Sequence, residues 1–149
     1  MIAVDTNILV YAHRKEMPHH ERARLLVAGL ASRPERWGIP WPCVAEFYAV
    51  VTHARLWQGA ASTPAQAICQ IGAWVGSPSV SLLAETDETW RCLEGLVERA
   101  PVRGAAIHDA RIAAICESHG VAELYTADRD FSRFPGLRST NPFATGGGP

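Results

Sequence analysis

Four carboxylates, with a possible fifth, fall where an α/β domain could use them to hold a divalent metal. Asp5 follows the apolar run Met1-Ile2-Ala3-Val4 and opens Asp5-Thr6-Asn7. Asp128 follows Leu124-Tyr125-Thr126-Ala127 and opens Asp128-Arg129-Asp130-Phe131, which makes Asp130 a fifth acid. Glu46 and Asp109 sit at or near the starts of two amphipathic helical stretches. In open α/β sheets, ligands bind outside the carboxyl ends of the strands, so acids at strand ends and helix starts can converge there. Several carboxylates with no evident protein nucleophile suit Mg2+ or Mn2+, which prefer oxygen ligands and retain water. The chemistry is then attack by a metal-activated water, with one metal or two.

Each acid also has a plainer reading. Asp5 can cap the turn after it, since Asp-Thr-Asn is rich in capping residues. Asp128 and Asp130 can form a turn. A lone glutamate at position 46 reads more simply as a solvated flank of a helix carrying Val44, Phe47, Val50 and Val51. Asp109 shares a helical face with Ile112, Ala113 and Cys116, where an unpaired acid needs a cation or a proton. It also lies in a first helical turn, where an acid favours the macrodipole. On geometry alone both readings of Asp109 stand. The case rests on all four acids occupying compatible places.

The elements that must position them alternate strand with helix. Short strands are predicted at Ile2–Val4, Trp37–Pro40, Val80–Ala84 and Leu124–Thr126, with a short fifth at Leu137–Ser139. A helical turn continues from the first strand through Leu9, Val10 and Tyr11. Helices are predicted over His19–Ser32, from Pro42 to about Leu56, from Thr63-Pro64 to Gly76, over Glu88–Ala100 and over Ile107–His119. Thr63-Pro64 pairs a capping residue with proline at the first helical position. Thr86 or Asp87 caps the next helix, and Gly120 closes the last. This alternation predicts an α/β protein with a parallel sheet covered on both faces.

At 149 residues, with 48% hydrophobic and 19% charged residues, the chain is expected to form one domain with a real core. Its boundaries are read as 1–143, with a flexible tail at 144–149 that contains Gly146-Gly147-Gly148-Pro149. No apolar run approaches the roughly 20 residues that span a bilayer. The first residues do not resemble a signal peptide, so a cytoplasmic location and no membrane partner are expected. Cys43, Cys69, Cys92 and Cys116 are widely spaced and read as buried free thiols rather than a zinc site or a disulfide framework. Trp74 and Trp90 are expected in the core, and Trp37, Trp41 and Trp57 at an interface.

The net charge of −1 alone argues against nucleic acid. With the five site acids set aside, however, ten acids remain against 14 bases, and 13 of those bases are arginine. Arginine can bond two phosphate oxygens at once. Ordinary solvated surface accounts for the same richness equally well. Arg14, Arg55, Arg103, Arg111 and Arg129 are the candidates for phosphate contact. His108 adjoins Asp109 and could orient it or shuttle a proton.

The residues present exclude several phosphate folds. A haloacid dehalogenase-type phosphatase needs a second aspartate where Asn7 stands. A receiver domain needs a lysine on its last strand, and the only lysine here is Lys15. A nucleotide-binding fold needs a glycine-rich first turn, and Asp5-Thr6-Asn7 has none.

Four stretches, in order, resemble PIN-domain ribonucleases, in particular VapC-type toxins of bacterial type II toxin–antitoxin systems. They are Val4-Asp5-Thr6-Asn7-Ile8-Leu9-Val10-Tyr11-Ala12-His13, the segment Pro40-Trp41-Pro42 to Glu46, Asp109-Ala110-Arg111-Ile112-Ala113-Ala114, and Tyr125-Thr126-Ala127-Asp128-Arg129-Asp130-Phe131. Phe134-Pro135-Gly136-Leu137 extends the last. One motif alone is weak; the ordered set covers nearly the whole chain. The resemblance implies a three-layer α/β/α PIN fold with a mainly parallel sheet of four to five strands. It implies that Asp5, Glu46, Asp109 and Asp128 form the catalytic quartet and bind Mg2+ or Mn2+ with Asp130. Thr6, Asn7 and Thr126 are then supporting residues.

The implied activity is endonucleolytic cleavage of cellular RNA, tRNA or rRNA, leaving a 5′-phosphate and a 3′-hydroxyl. A homodimer and a cognate VapB-type antitoxin are the implied partners. Two other functions fit less of this pattern. One is an RNA-processing PIN nuclease without an antitoxin. The other is a non-catalytic PIN-like module that keeps its acids for folding.

Overall fold

The structure, a computed structural model, describes residues 1–144. Apart from Ala144, the tail expected at 144–149 lies outside the described residues. The sheet comprises β1 (Ile2–Val4), β2 (Trp37–Pro40), β3 (Val80–Leu83), β4 (Glu123–Tyr125) and β5 (Ser139–Thr140). Their order is β3-β2-β1-β4-β5, and every neighbouring pair is parallel. Among the described residues, six α-helices cover both faces: α1 (Thr6–His13), α2 (His20–Ser32), α3 (Trp41–Val51), α4 (Pro64–Val75), α5 (Asp87–Arg99) and α6 (Ile107–Ser118).

With helices on both sides, the central strands bury alternate residues in both directions. Ala3, Val4, Trp37, Ile39 and Leu124 are all essentially inaccessible. Gly38 leaves room for Leu83, because a Cβ there would lie 2.8 Å from the end of the Leu83 side chain, which would have to shift. The chain steps outward from β1 to β2 to β3, then returns to place β4 on the other side of β1. The gap between the ends of β1 and β4 is therefore the topological switch point, where such sheets open a crevice.

Side-chain caps explain three of the six helix starts among the described residues, those of α1, α4 and α5. Thr63 forms a capping box with Gln66, with Pro64 in the first turn, and Thr86 forms one with Thr89. Gly120 takes φ +63° just past α6, the left-handed conformation that closes helices. No helix among the described residues is long and apolar enough to cross a membrane.

Four expectations need correction. Helix α3 stops at Val51, not Leu56, because a returning loop takes its last carbonyls. Ser62 N–H donates to Val51 O at 2.9 Å, and Trp57 Nε1 donates to Val50 O at 2.7 Å. Strand β5 lies at Ser139–Thr140 rather than Leu137–Ser139, in register with Leu124 and Tyr125 of β4. Trp90 is 64% exposed, since the inward positions of α5 are Thr89 and Leu96, seven residues apart, and Trp90 is one residue out of phase. Trp37, by contrast, is fully buried in β2.

All four cysteines are free, but only Cys43 and Cys116 are buried. Cys92 is half-buried. Cys69 is exposed because the buried face of α4 passes through Ala67 and Trp74.

Candidate active site

Strand β1 delivers Asp5 to the switch point as both helix cap and hub. Its Oδ1 accepts the Thr6 N–H at 2.7 Å, which starts α1, and faces the Cys43 thiol at 3.6 Å. Its Oδ2 accepts the Asn7 side-chain N–H at 2.6 Å and the Thr126 hydroxyl at 2.7 Å. At 4% exposure the carboxylate is nearly closed to solvent. Burial pushes its pKa up from the ordinary 3.8, and the Glu46 charge pushes the same way. The hydrogen bonds from Thr126, Thr6 and Cys43 oppose them.

The same network fixes the turn after β4. Thr126 accepts the Asn7 side-chain N–H and the Asp128 backbone N–H, both at 3.0 Å. Asn7 accepts the Ala127 N–H at 2.9 Å, and Asp128 accepts the Asp130 N–H at 2.8 Å. The ends of β1 and β4 are thus tied by side chains as well as by the sheet. On α3, Glu46 Oε2 accepts the Thr6 hydroxyl at 2.6 Å.

Asp5, Glu46, Asp109 and Asp128 line one cavity of about 230 Å³, with Thr6 and Asn7 in its wall. Asp109, Asp128 and Asp130 bring a carboxylate oxygen each to within 4.8 Å of one another. Asp5 and Glu46 are outside that tighter triad, and Asp130 is outside the cavity wall. Asp130 is also paired with Arg133 at 3.0 Å. Burial pushes the Asp109 pKa up, and the charges of Asp128 and Asp130 add to the rise, with Glu46 contributing least.

A divalent cation fits this donor set. The triad offers only carboxylate oxygens, the ligands of Mg2+ and Mn2+. It also carries the mutual repulsion that a cation would relieve.

The arginines divide by their surroundings. Arg14 is buried and structural. It donates to the Ser62 hydroxyl at 3.1 Å and to Ala60 O at 2.8 Å, pairs with Glu16 and lies 4.1 Å from the Trp57 ring centroid. Its terminal nitrogens are thus engaged by groups of its own chain. Arg55, Arg103 and Arg129 do not line the acidic cavity. Arg111 lines an adjoining recess, with its Nε paired to Glu85. His108 is exposed and makes no hydrogen bond to Asp109 among the described residues.

Sequence reasoning missed three contributors: Cys43 against Asp5, Tyr11 in the cavity wall and Arg133 on Asp130. Cys43 carried a faint signal, lying one helical turn before Glu46. Arg133 lies three residues after Asp130, a common ion-pair spacing within one helix.

The PIN domain family model matches residues 2–137. Ribonuclease VapC48 of Mycobacterium tuberculosis is 31% identical over 140 residues, covering 94% of this chain and 96% of that protein. Ribonuclease VapC43 of the same organism is 34% identical over 142 residues, covering 95% of each. Two solved structures share the fold. VapBC2 from Rickettsia felis, bound to a DNA fragment from its promoter, superposes with a TM-score of 0.68 at 19% identity, over 94% of this chain and 98% of that one. A toxin–antitoxin complex from Klebsiella pneumoniae gives 0.60 at 18% identity, over 96% and 98%.

Proposed function

The chain belongs to the PIN domain family, and on that premise we propose that it is a divalent-metal-dependent endoribonuclease, the toxin of a toxin–antitoxin pair. The observation that carries this reading is the meeting of Asp5, Glu46, Asp109 and Asp128 in one cavity at the switch point. The names of the relatives, VapC48 and VapC43 ribonucleases, support RNA as the substrate. The toxin–antitoxin complex among the fold's neighbours supports an antitoxin partner.

Asp109, Asp128 and Asp130 are the residues that would hold Mg2+ or Mn2+, with Asp5 and Glu46 adding charge from β1 and α3. When bound, the cation neutralises the phosphodiester and lowers the pKa of water, supplying the nucleophile. Asp5 accepts every donor around it and so holds the β1 and β4 ends in place. Thr6 fixes Glu46 through Oε2. The other oxygen, Oε1, makes no hydrogen bond among the described residues. Thr126 and Asn7 hold the backbone that carries Asp128.

The substrate is cellular RNA, tRNA or rRNA, and the active form is a homodimer, the commonest closed oligomer. The test is incubation of purified protein with total bacterial RNA in Mg2+, in Mn2+ and in EDTA, with mapping of the new ends. Cleavage at defined sites with either metal and none in EDTA is expected. No cleavage with metal, or full cleavage in EDTA, refutes the reading. Expression alone should arrest bacterial growth, and co-expression of the small protein encoded beside it should restore growth.

A further inference from the structure

A second recess, about 440 Å³, opens beside the acidic cavity. It shares Glu46, Asp109 and Ile112 with that cavity, and its other wall carries Trp41, His108 and Arg111. A strand whose phosphate lies over the acids would place a neighbouring nucleotide here. The volume is in the ~300–1,000 Å³ range of small-ligand sites.

Trp41 is the first residue of α3 and is 48% exposed, whereas Trp37 and Trp74 are taken into the core. Pro42 comes next and fixes the backbone at the helix start. No aromatic ring stacks on the indole among the described residues. Arg111 is held by Glu85 through Nε, and its two terminal nitrogens make no hydrogen bond among the described residues. An aromatic face, an oriented guanidinium and a shared wall with phosphate-cleaving acids are the parts that bind a nucleotide with an unpaired base. Bases in a duplex are stacked on one another and cannot offer a free face; splayed bases stack on aromatic side chains.

We propose that Trp41 is the stacking platform for an unpaired base next to the scissile phosphate, with Arg111 on that nucleotide's phosphate. This rests on the ribonuclease reading of the acidic site. Trp41 also borders an apolar groove with Tyr48, Ile68 and Val75, so a protein segment is the rival occupant.

The experiment measures binding of fluorescein-labelled decaadenylate in the Asp109→Asn background, which suppresses cleavage. The comparison probes are an abasic ribose-phosphate decamer of equal charge and the decaadenylate paired with decauridylate. Stacking on aromatic side chains contributes about 1–3 kcal/mol per base. Decaadenylate should therefore bind roughly 5- to 150-fold tighter than the abasic decamer, and binding of the duplex, which carries twice the charge, should not depend on Trp41. Trp41→Ala and Trp41→Leu should erase that preference, and Trp41→Phe should keep most of it. Thermal melts check that each variant is folded.

Unchanged preference in folded Trp41→Leu, or no preference in the parent, overturns the proposal. Loss of dimer mass in light scattering with the preference intact also overturns it, in favour of protein docking. If the wild type cleaves no RNA with Mg2+ or Mn2+ yet the preference depends on Trp41, the ribonuclease reading falls and the platform stands. If the wild type cleaves and the preference ignores Trp41, only the platform falls.

Discussion

Replacing Asp109 by asparagine should raise stability and remove activity together, because the same charge is a burden without metal and a ligand with it. Asp109 has carboxylates of Asp128 and Asp130 within 4.8 Å. Two unit charges at that distance repel by about 1 kcal/mol with water-like screening. Asp128 and Asp130 are exposed, and Arg133 offsets Asp130, so about 1 kcal/mol in total is the relief expected from Asp109→Asn. For a chain of this size that is an increase in Tm of about 2–4 °C in EDTA. The wild type should gain on adding Mg2+, by about 2.7 kcal/mol at a hundredfold excess over Kd, and Asp109→Asn should gain much less.

The pH dependence comes from the raised pKa of Asp109. Its folded-state value lies above its unfolded one, so protonation favours the folded state. That stabilisation is complete below the ordinary value of 3.8 and is lost as pH rises through the raised value. In EDTA the wild type should therefore trail the variant at pH 7 and match it below about pH 4. Cleavage by the variant should fall at least about a hundredfold, the usual scale for losing one electrostatic contact to the transition state. Thermal melts with and without Mg2+, beside RNA cleavage, decide the matter. A folded variant that cleaves at the wild-type rate, or melts lower in EDTA, refutes the reasoning.

The remaining acids should rank by their surroundings. Asp5→Asn and Asp128→Asn should abolish cleavage, Glu46→Gln should damage it, and Asp130→Asn should be milder because Arg133 already takes part of its charge; initial rates at saturating RNA give the order. Thr126→Val removes a donor to buried Asp5 and an acceptor for Asn7 and Asp128, and should cost about 2–4 kcal/mol by urea melts, with Thr126→Ser restoring most of it. RNA binding by an inactive variant should weaken steeply with salt as counterions are released, and a flat salt titration would contradict phosphate contact. Arg14→Lys should lower stability more than RNA affinity, since Arg14 is held by Ser62, Ala60, Glu16 and Trp57; equal melts with weakened binding would reverse that assignment.

Much of the fold was legible because it is written in local signals. Thr63-Pro64, Thr86 and Gly120 mark helix ends through backbone chemistry that neighbouring residues decide. Short apolar runs between helices imply a parallel sheet, since only that arrangement buries both faces. The positions of Asp5 and Asp128 after strands also pointed to their convergence, by the rule for strand ends.

Tertiary structure decided what periodicity cannot express. Helix α3 ends at Val51 because Ser62 and Trp57 arrive from a later loop. Trp37 and Trp90 exchange their expected places because burial depends on which face meets the sheet. Arg14 reads as a cation for phosphate until the loop at Ala60–Ser62 closes around it. Asp130 could be placed near Asp128 from sequence, and Arg133 stands at an ion-pair spacing from it, but its distance from Asp109 could not be read. Residue type and order determined which carboxylates could meet. Their separations were set by long-range packing, because electrostatic energy depends on distance in space and not on separation along the chain.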